Sequence, residues 1–136
     1  MANSTLVTIV DDDESMQHSV PSLVRKFGFT VRAFTSAEQF LASDCVSQTK
    51  CLILDVAMPG MSGPDLQREL SRREQEIPIV FITGQVDRDL RRQLLAEGAV
   101  ECLFKPFSAG ALREALNTAL ANSVERLNTL ARGELS

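Results

Sequence analysis

At 136 residues, with 44% apolar and 24% charged side chains, the chain has the bulk for one domain with a real core and the make-up of an ordinary soluble fold. A net charge of −4 offers no broad attraction to a phosphate backbone, so direct nucleic-acid binding is not expected. No apolar run reaches membrane-spanning length and no basic-then-apolar leader opens the chain, which predicts a cytoplasmic protein without membrane contact.

Leu6-Val7-Thr8-Ile9-Val10 is a first β-rich apolar run, ending at the acidic stretch Asp11-Asp12-Asp13-Glu14. Met16, Val20, Leu23, Val24 and Phe27 then recur at helical spacing, with Asp13 as N-cap and Gly28 as terminator. Pro21 falls inside this helix, where it deletes a backbone bond and has no evident functional reason. Thr30–Phe34 reads as a weaker, edge-type strand, and Ser36-Ala37-Glu38-Gln39-Phe40-Leu41 as a short helix capped by Ser36. Cys51-Leu52-Ile53-Leu54 is too short for a helix and apolar throughout, as in a strand buried on both faces; it runs directly into Asp55. Pro59-Gly60 and Gly63-Pro64 mark the following loop and the start of a third helix carrying Leu66 and Leu70 inward.

Ile77–Ile82 is the fourth strand, with Pro78 at its entrance, and it ends at Thr83-Gly84. A fourth helix over Asp87–Glu97 turns Leu90, Leu94 and Leu95 inward and leaves Arg88, Arg91 and Arg92 on a solvent face. Val100–Phe104 is the fifth strand, followed by Lys105-Pro106 and a helix capped by Ser108. Its stripe of Leu112, Leu116, Ala119, Leu120, Val124, Leu127 and Leu130 makes a rod roughly 36 Å long, about twice what covering the sheet needs. Phe34, Phe40, Phe81, Phe104 and Phe107 read as core, the lone His18 as solvated, and Cys45, Cys51 and Cys102 as buried thiols. Strands alternating with helices mean parallel pairing through right-handed crossovers: an α/β fold with helices on both faces of the sheet.

In such a sheet the strand ends meet at one rim, where ligands bind. Four of those ends deliver Asp11 and Asp12, Asp55, Thr83 and Lys105. Singly these are a cap, a turn residue and a solvated corner; together they form a site. Clustered carboxylates need a cation or raised pKa values, and an oxygen-only cluster suits Mg²⁺. Lys105 and Thr83 suit phosphoryl oxygens, and Asp55 is then the natural nucleophile toward phosphorus.

Val10-Asp11-Asp12, Leu54-Asp55-Val56-Ala57-Met58-Pro59-Gly60-Met61-Ser62-Gly63, Ile82-Thr83-Gly84 and Phe104-Lys105-Pro106-Phe107 together resemble the receiver domain of two-component response regulators, most of all the FixJ/NarL type, over Leu6 to Ala121. The resemblance implies a flavodoxin-like, doubly wound five-stranded sheet of order 2-1-3-4-5, with residues 1–121 as the receiver and 122–136 as a helical extension or linker. It implies that Asp55 accepts phosphate from a sensor histidine kinase. Mg²⁺ would be held by Asp12, Asp55 and the Ala57 carbonyl, with Asp11 acting through water, while Thr83 and Lys105 contact the phosphoryl group. Lys105-Pro106 becomes a candidate cis peptide. A homodimer through the fourth-helix and fifth-strand face, and a DNA-binding output domain in a longer natural chain, follow as partners.

One departure stands out. Three residues before the lysine the family usually has Phe or Tyr, and here Cys102 stands there; a thiol cannot fill and vacate a ring-sized cavity, so the signal is expected to pass through backbone shifts around 83–97. Two alternatives are a haloacid-dehalogenase-like Mg²⁺ phosphohydrolase and an unphosphorylated receiver-like scaffold. The first wants a second acid two residues after the nucleophile, where this chain has Ala57; the second sits poorly with an intact acid set.

Overall fold

The computed structural model describes the backbone of residues 5–132 and the side chains of 5–121, Ser15 excepted. Apolar runs become strands β1 (Leu6–Val10), β2 (Thr30–Phe34), β3 (Thr49–Asp55), β4 (Ile79–Thr83) and β5 (Glu101–Phe104). Between and after them come α1 (Glu14–Lys26), α2 (Ala37–Ala42), α3 (Gly63–Arg72), α4 (Arg88–Ala96) and α5 (Ala109–Arg132). The sheet has the order β2-β1-β3-β4-β5 and is parallel throughout. This is the doubly wound, flavodoxin-like arrangement, with β2 and β5 as its edges.

Side-chain alternation sorts the sheet into two cores. Val7, Ile9, Cys51, Ile53, Val80 and Ile82 pack with Val20 and Val24 of α1 and Leu112, Leu116 and Ala119 of α5. On the other face Val10, Leu52, Leu54, Ile79 and Phe81 pack with Ala37 and Phe40 of α2, Leu66 and Leu70 of α3 and Leu94 of α4. At about 25 cal/mol per Å² of apolar surface, these layers supply most of the favourable free energy of folding. Two polar groups within the layers satisfy each other: the buried Thr8 and Thr49 hydroxyls lie 2.7 Å apart, and Thr49 also donates to the Cys45 carbonyl.

The helix boundaries follow the local chemistry. The Asp13 carbonyl accepts from Met16 and Gln17 at the start of α1, and Gly28, at φ +100°, ends it. Ser36, Ser62, Asp87 and Ser108 each accept a backbone N–H from the first turn of the following helix. Pro21 lies buried within α1, and nothing in the structure explains it functionally.

Several expectations are corrected. β4 begins at Ile79, because Pro78 has no N–H to give; its carbonyl still accepts from Leu52. β3 extends to Thr49 and is preceded by a 3₁₀ turn, Val46–Gln48, that carries no strong local signal. Phe40 and Phe81 are fully buried, whereas Phe34, Phe104, Phe107, Leu90 and Leu95 are half-buried but still pack against the core as expected. Arg88 and Arg92 face solvent, whereas Arg91 is only partly exposed: it pairs with Glu101 and donates to the Cys102 carbonyl, joining α4 to β5. All three cysteines are free and buried, and burial pushes the Cys51 thiol up to about 12. Val124, Leu127 and Leu130 of the expected stripe lie outside the described side chains.

Candidate functional site

Parallel register fixes the rim. Val10 pairs with Leu54 and Ile82 with Asp55, so Asp11, Asp55 and Thr83 each stand at or one step beyond the last rung of neighbouring strands. Thr83 pairs with Phe104, which puts Lys105 one step beyond on the outer side. Asp11, Asp12 and Asp55 converge, each offering a carboxylate oxygen within 4.8 Å of the others. Asp11 is fully buried and Asp55 is 7% exposed, while Asp12 faces solvent. The Lys105 ammonium reaches in from β5 and lies 3.5 Å from Asp11 Oδ2. Lys105 and Asp55 thus share one pocket rather than opposite sides of the molecule.

Asp11 is oriented by its Oδ1, which accepts the Asp13 N–H at 2.9 Å. The Asp55 carboxylate accepts a longer bond, 3.4 Å, from the Ala57 N–H. Burial, and then the charge of Asp11 beside it, push the Asp55 carboxyl up to about 7, with Lys105 pulling the other way. An oxygen-only donor set whose negative charge one lysine does not balance is the chemistry of a Mg²⁺ site, and the residues present fit that ion.

Thr83 is buried beside this pocket; its hydroxyl accepts from the Gln85 N–H and its carbonyl from the Lys105 N–H at 2.8 Å. The Lys105–Pro106 peptide is cis. Ala57 lies exposed in the β3–α3 loop, at the edge of an open groove of about 600 Å³ that Met58, Pro59 and Pro64 also line. Cys102 is 3% exposed and packs in the core with Phe81 and Leu94. His18 faces solvent.

Other residues that shape the rim are less visible in sequence. Gln17 of α1 donates to the carbonyls of both Asp11 and Phe34, tying the ends of β1 and β2 together. Gly63 reads as turn chemistry, yet a Cβ there would lie 2.3 Å from the Asp55 carbonyl oxygen, so α3 starts against the backbone of Asp55 only because Gly63 has none. Glu38 of α2 reaches the β3–α3 loop and accepts the Met61 N–H at 3.0 Å. No local pattern announces that contact.

Residues 7–117 match the family model for the response regulator receiver domain. The chain is 41% identical over 125 residues to nodulation protein W of Bradyrhizobium diazoefficiens, covering 92% of this chain and 55% of that protein. It is 33% identical over 126 residues to the transcriptional regulatory protein FixJ of Azorhizobium caulinodans, covering 93% of this chain and 60% of that one. Among solved structures, the response regulator StyR superposes with a TM-score of 0.86 at 38% identity, over 96% of this chain and 66% of StyR. The chain spans little more than half the length of these curated relatives. With a family match over most of its length and relatives of this identity, the chain belongs to the response regulator receiver-domain family.

Proposed function

We propose that this receiver is a signalling switch whose phosphoryl acceptor is Asp55, with a sensor histidine kinase as donor. The observation that carries the reading is the convergence of Asp55, Asp11, Asp12 and Lys105 in one buried-to-open pocket at the strand ends. An ionised Asp55 oxygen forms the new bond to phosphorus while the bond between phosphorus and the donor's imidazole nitrogen breaks and the imidazole departs with that electron pair. Asp12, Asp55 and the Ala57 carbonyl would hold Mg²⁺, with Asp11 acting through water. When bound, the ion keeps Asp55 ionised near neutral pH and screens the approach of two anions. Lys105 neutralises charge on a phosphoryl oxygen, and the Thr83 hydroxyl donates to another.

Phosphorylation then alters the surface formed by residues 83–104, where α4 and β5 meet, and controls a homodimer or an attached output. The name of the FixJ relative, a transcriptional regulatory protein, supports a DNA-binding output domain in a longer natural chain. Membership of the receiver family supports work in the cytoplasm; among the described residues no helix is long and apolar enough to cross a membrane. The family assignment does not favour a haloacid-dehalogenase-like phosphohydrolase or a silent scaffold.

Incubation with acetyl phosphate and Mg²⁺ should add one phosphoryl group, read as intact mass, and Asp55→Asn should abolish it. A single adduct that persists in Asp55→Asn removes Asp55 from the role.

A further inference from the structure

The β3–α3 loop, residues 56–62, is held at both ends. At its base the Gly63 N–H donates to the Val56 carbonyl at 2.9 Å. At its tip the restraint comes from another layer of the fold: Glu38, 23 residues earlier in the chain, accepts the Met61 N–H through Oε2 at 3.0 Å. Gly60 makes room for it, since a Cβ there would lie 2.7 Å from the same Oε2, and its φ of +74° turns the chain toward α2.

Glu38 is exposed, but the helix turn that carries it is well anchored. It sits in the first turn of α2, where Ser36 Oγ accepts the Gln39 N–H. The Gln39 side-chain oxygen accepts both the N–H and the hydroxyl of Thr35. Ala37 and Phe40 on either side are fully buried, and the Phe40 ring lies 5.8 Å from that of Phe34 at the end of β2. The backbone from which this carboxylate reaches is thus fixed to β2 and α2.

Between tip and base lies Ala57, whose carbonyl the proposed metal site uses. A main-chain oxygen coordinates well only if its loop holds it within a fraction of an ångström. We infer that Glu38 is a positioning residue for the metal pocket: through the Met61 N–H it holds the β3–α3 loop in the geometry in which Ala57 serves as ligand. This rests on the reading of the acidic pocket as a Mg²⁺ site. Glu38 touches neither the metal nor the phosphoryl group, and its action runs through one backbone hydrogen bond.

The test uses Glu38→Ala, which removes the acceptor, and Glu38→Gln, which keeps an acceptor oxygen without the charge. In metal-free protein, amide exchange should show the Met61 N–H protected in the parent and in Glu38→Gln, and unprotected in Glu38→Ala. In a Mg²⁺ titration followed by calorimetry, Glu38→Ala should bind about tenfold more weakly, the scale seen when residues supporting a metal ligand are removed, with Glu38→Gln close to the parent. Saturating Mg²⁺ should restore the parent's rate of acetyl phosphate labelling to Glu38→Ala. Equal Mg²⁺ affinity in parent and Glu38→Ala overturns the proposal, as does an equal loss in both variants. A parent that binds no Mg²⁺ overturns the acidic-pocket reading itself, and this inference with it.

Discussion

Two loops flank Asp55, and they are built in opposite ways. The β3–α3 loop is tied to α2 through Met61 and Glu38 and pressed by Gly63 against the Asp55 backbone, besides a local cap in which reciprocal Ser62–Asp65 bonds hold the Asp65 carboxyl below its ordinary range. The β4–α4 loop, residues 84–87, is exposed throughout, and its bonds are local: Gln85 N–H to the Thr83 hydroxyl, and Asp87 to the Leu90 N–H. Val86 in that loop is 68% exposed. A switch needs both characters. On the proposed function, the side that would ligate a metal must not drift, while the side carrying Thr83 would have to be cheap to move toward a phosphoryl oxygen. Below it, Arg91 on Glu101 and the Cys102 carbonyl joins α4 to β5, which would give a shift of the loop, on the proposed function, a route to that face without an aromatic ring at 102.

The contrast can be broken hardest at Gly63. Gly63→Ala would place a methyl 2.3 Å from the Asp55 carbonyl oxygen and 3.1 Å from Val56 Cα, both backbone atoms that cannot swing aside. A loss of about 3 kcal/mol is expected, read as a lower urea midpoint. Gly60→Ala comes next: at φ +74° a Cβ costs about 1–2 kcal/mol, and the methyl also crowds the Glu38 carboxylate. Unchanged stability in either variant would mean that this loop is not held as described.

Metal and pH act on the acids that lie between the two loops. Asp55 ionises near 3.8 when the chain is unfolded and at about 7 in the metal-free fold. Between those values the folded state keeps a proton that the unfolded state has lost. Its contribution therefore makes stability fall as pH rises from about 4 to about 7 and level off above. Urea midpoints in a chelator, compared between the parent and Asp55→Asn, should show that slope only in the parent. Free Mg²⁺ at ten times its dissociation constant should then add about 1.4 kcal/mol at neutral pH. A parent slope no different from that of Asp55→Asn would count against the raised carboxyl.

The smallest effect belongs to the free loop. A Cβ on Gly84 meets nothing within 4 Å, so Gly84→Ala should change stability by no more than about 0.5 kcal/mol. A loss comparable to that of Gly63→Ala would show the two loops to be equally constrained.

Much of this molecule is decided by local chemistry. Apolar runs of strand length, helical spacing ended by glycine, and Ser or Asp caps specify the elements and their alternation, because those preferences act within a few residues. Alternation then forces parallel crossovers, and parallel crossovers bring Asp11, Asp55, Thr83 and Lys105 to one rim whatever the details of packing. What the sequence could not supply is what depends on distance across the chain. Glu38 meeting Met61, Arg91 leaving the solvent face for Glu101, Gly63 pressed on the Asp55 carbonyl and the Asp55 carboxyl held near 7 all depend on which residues folding makes neighbours. Local propensity does not encode those separations; only the packed layers set them.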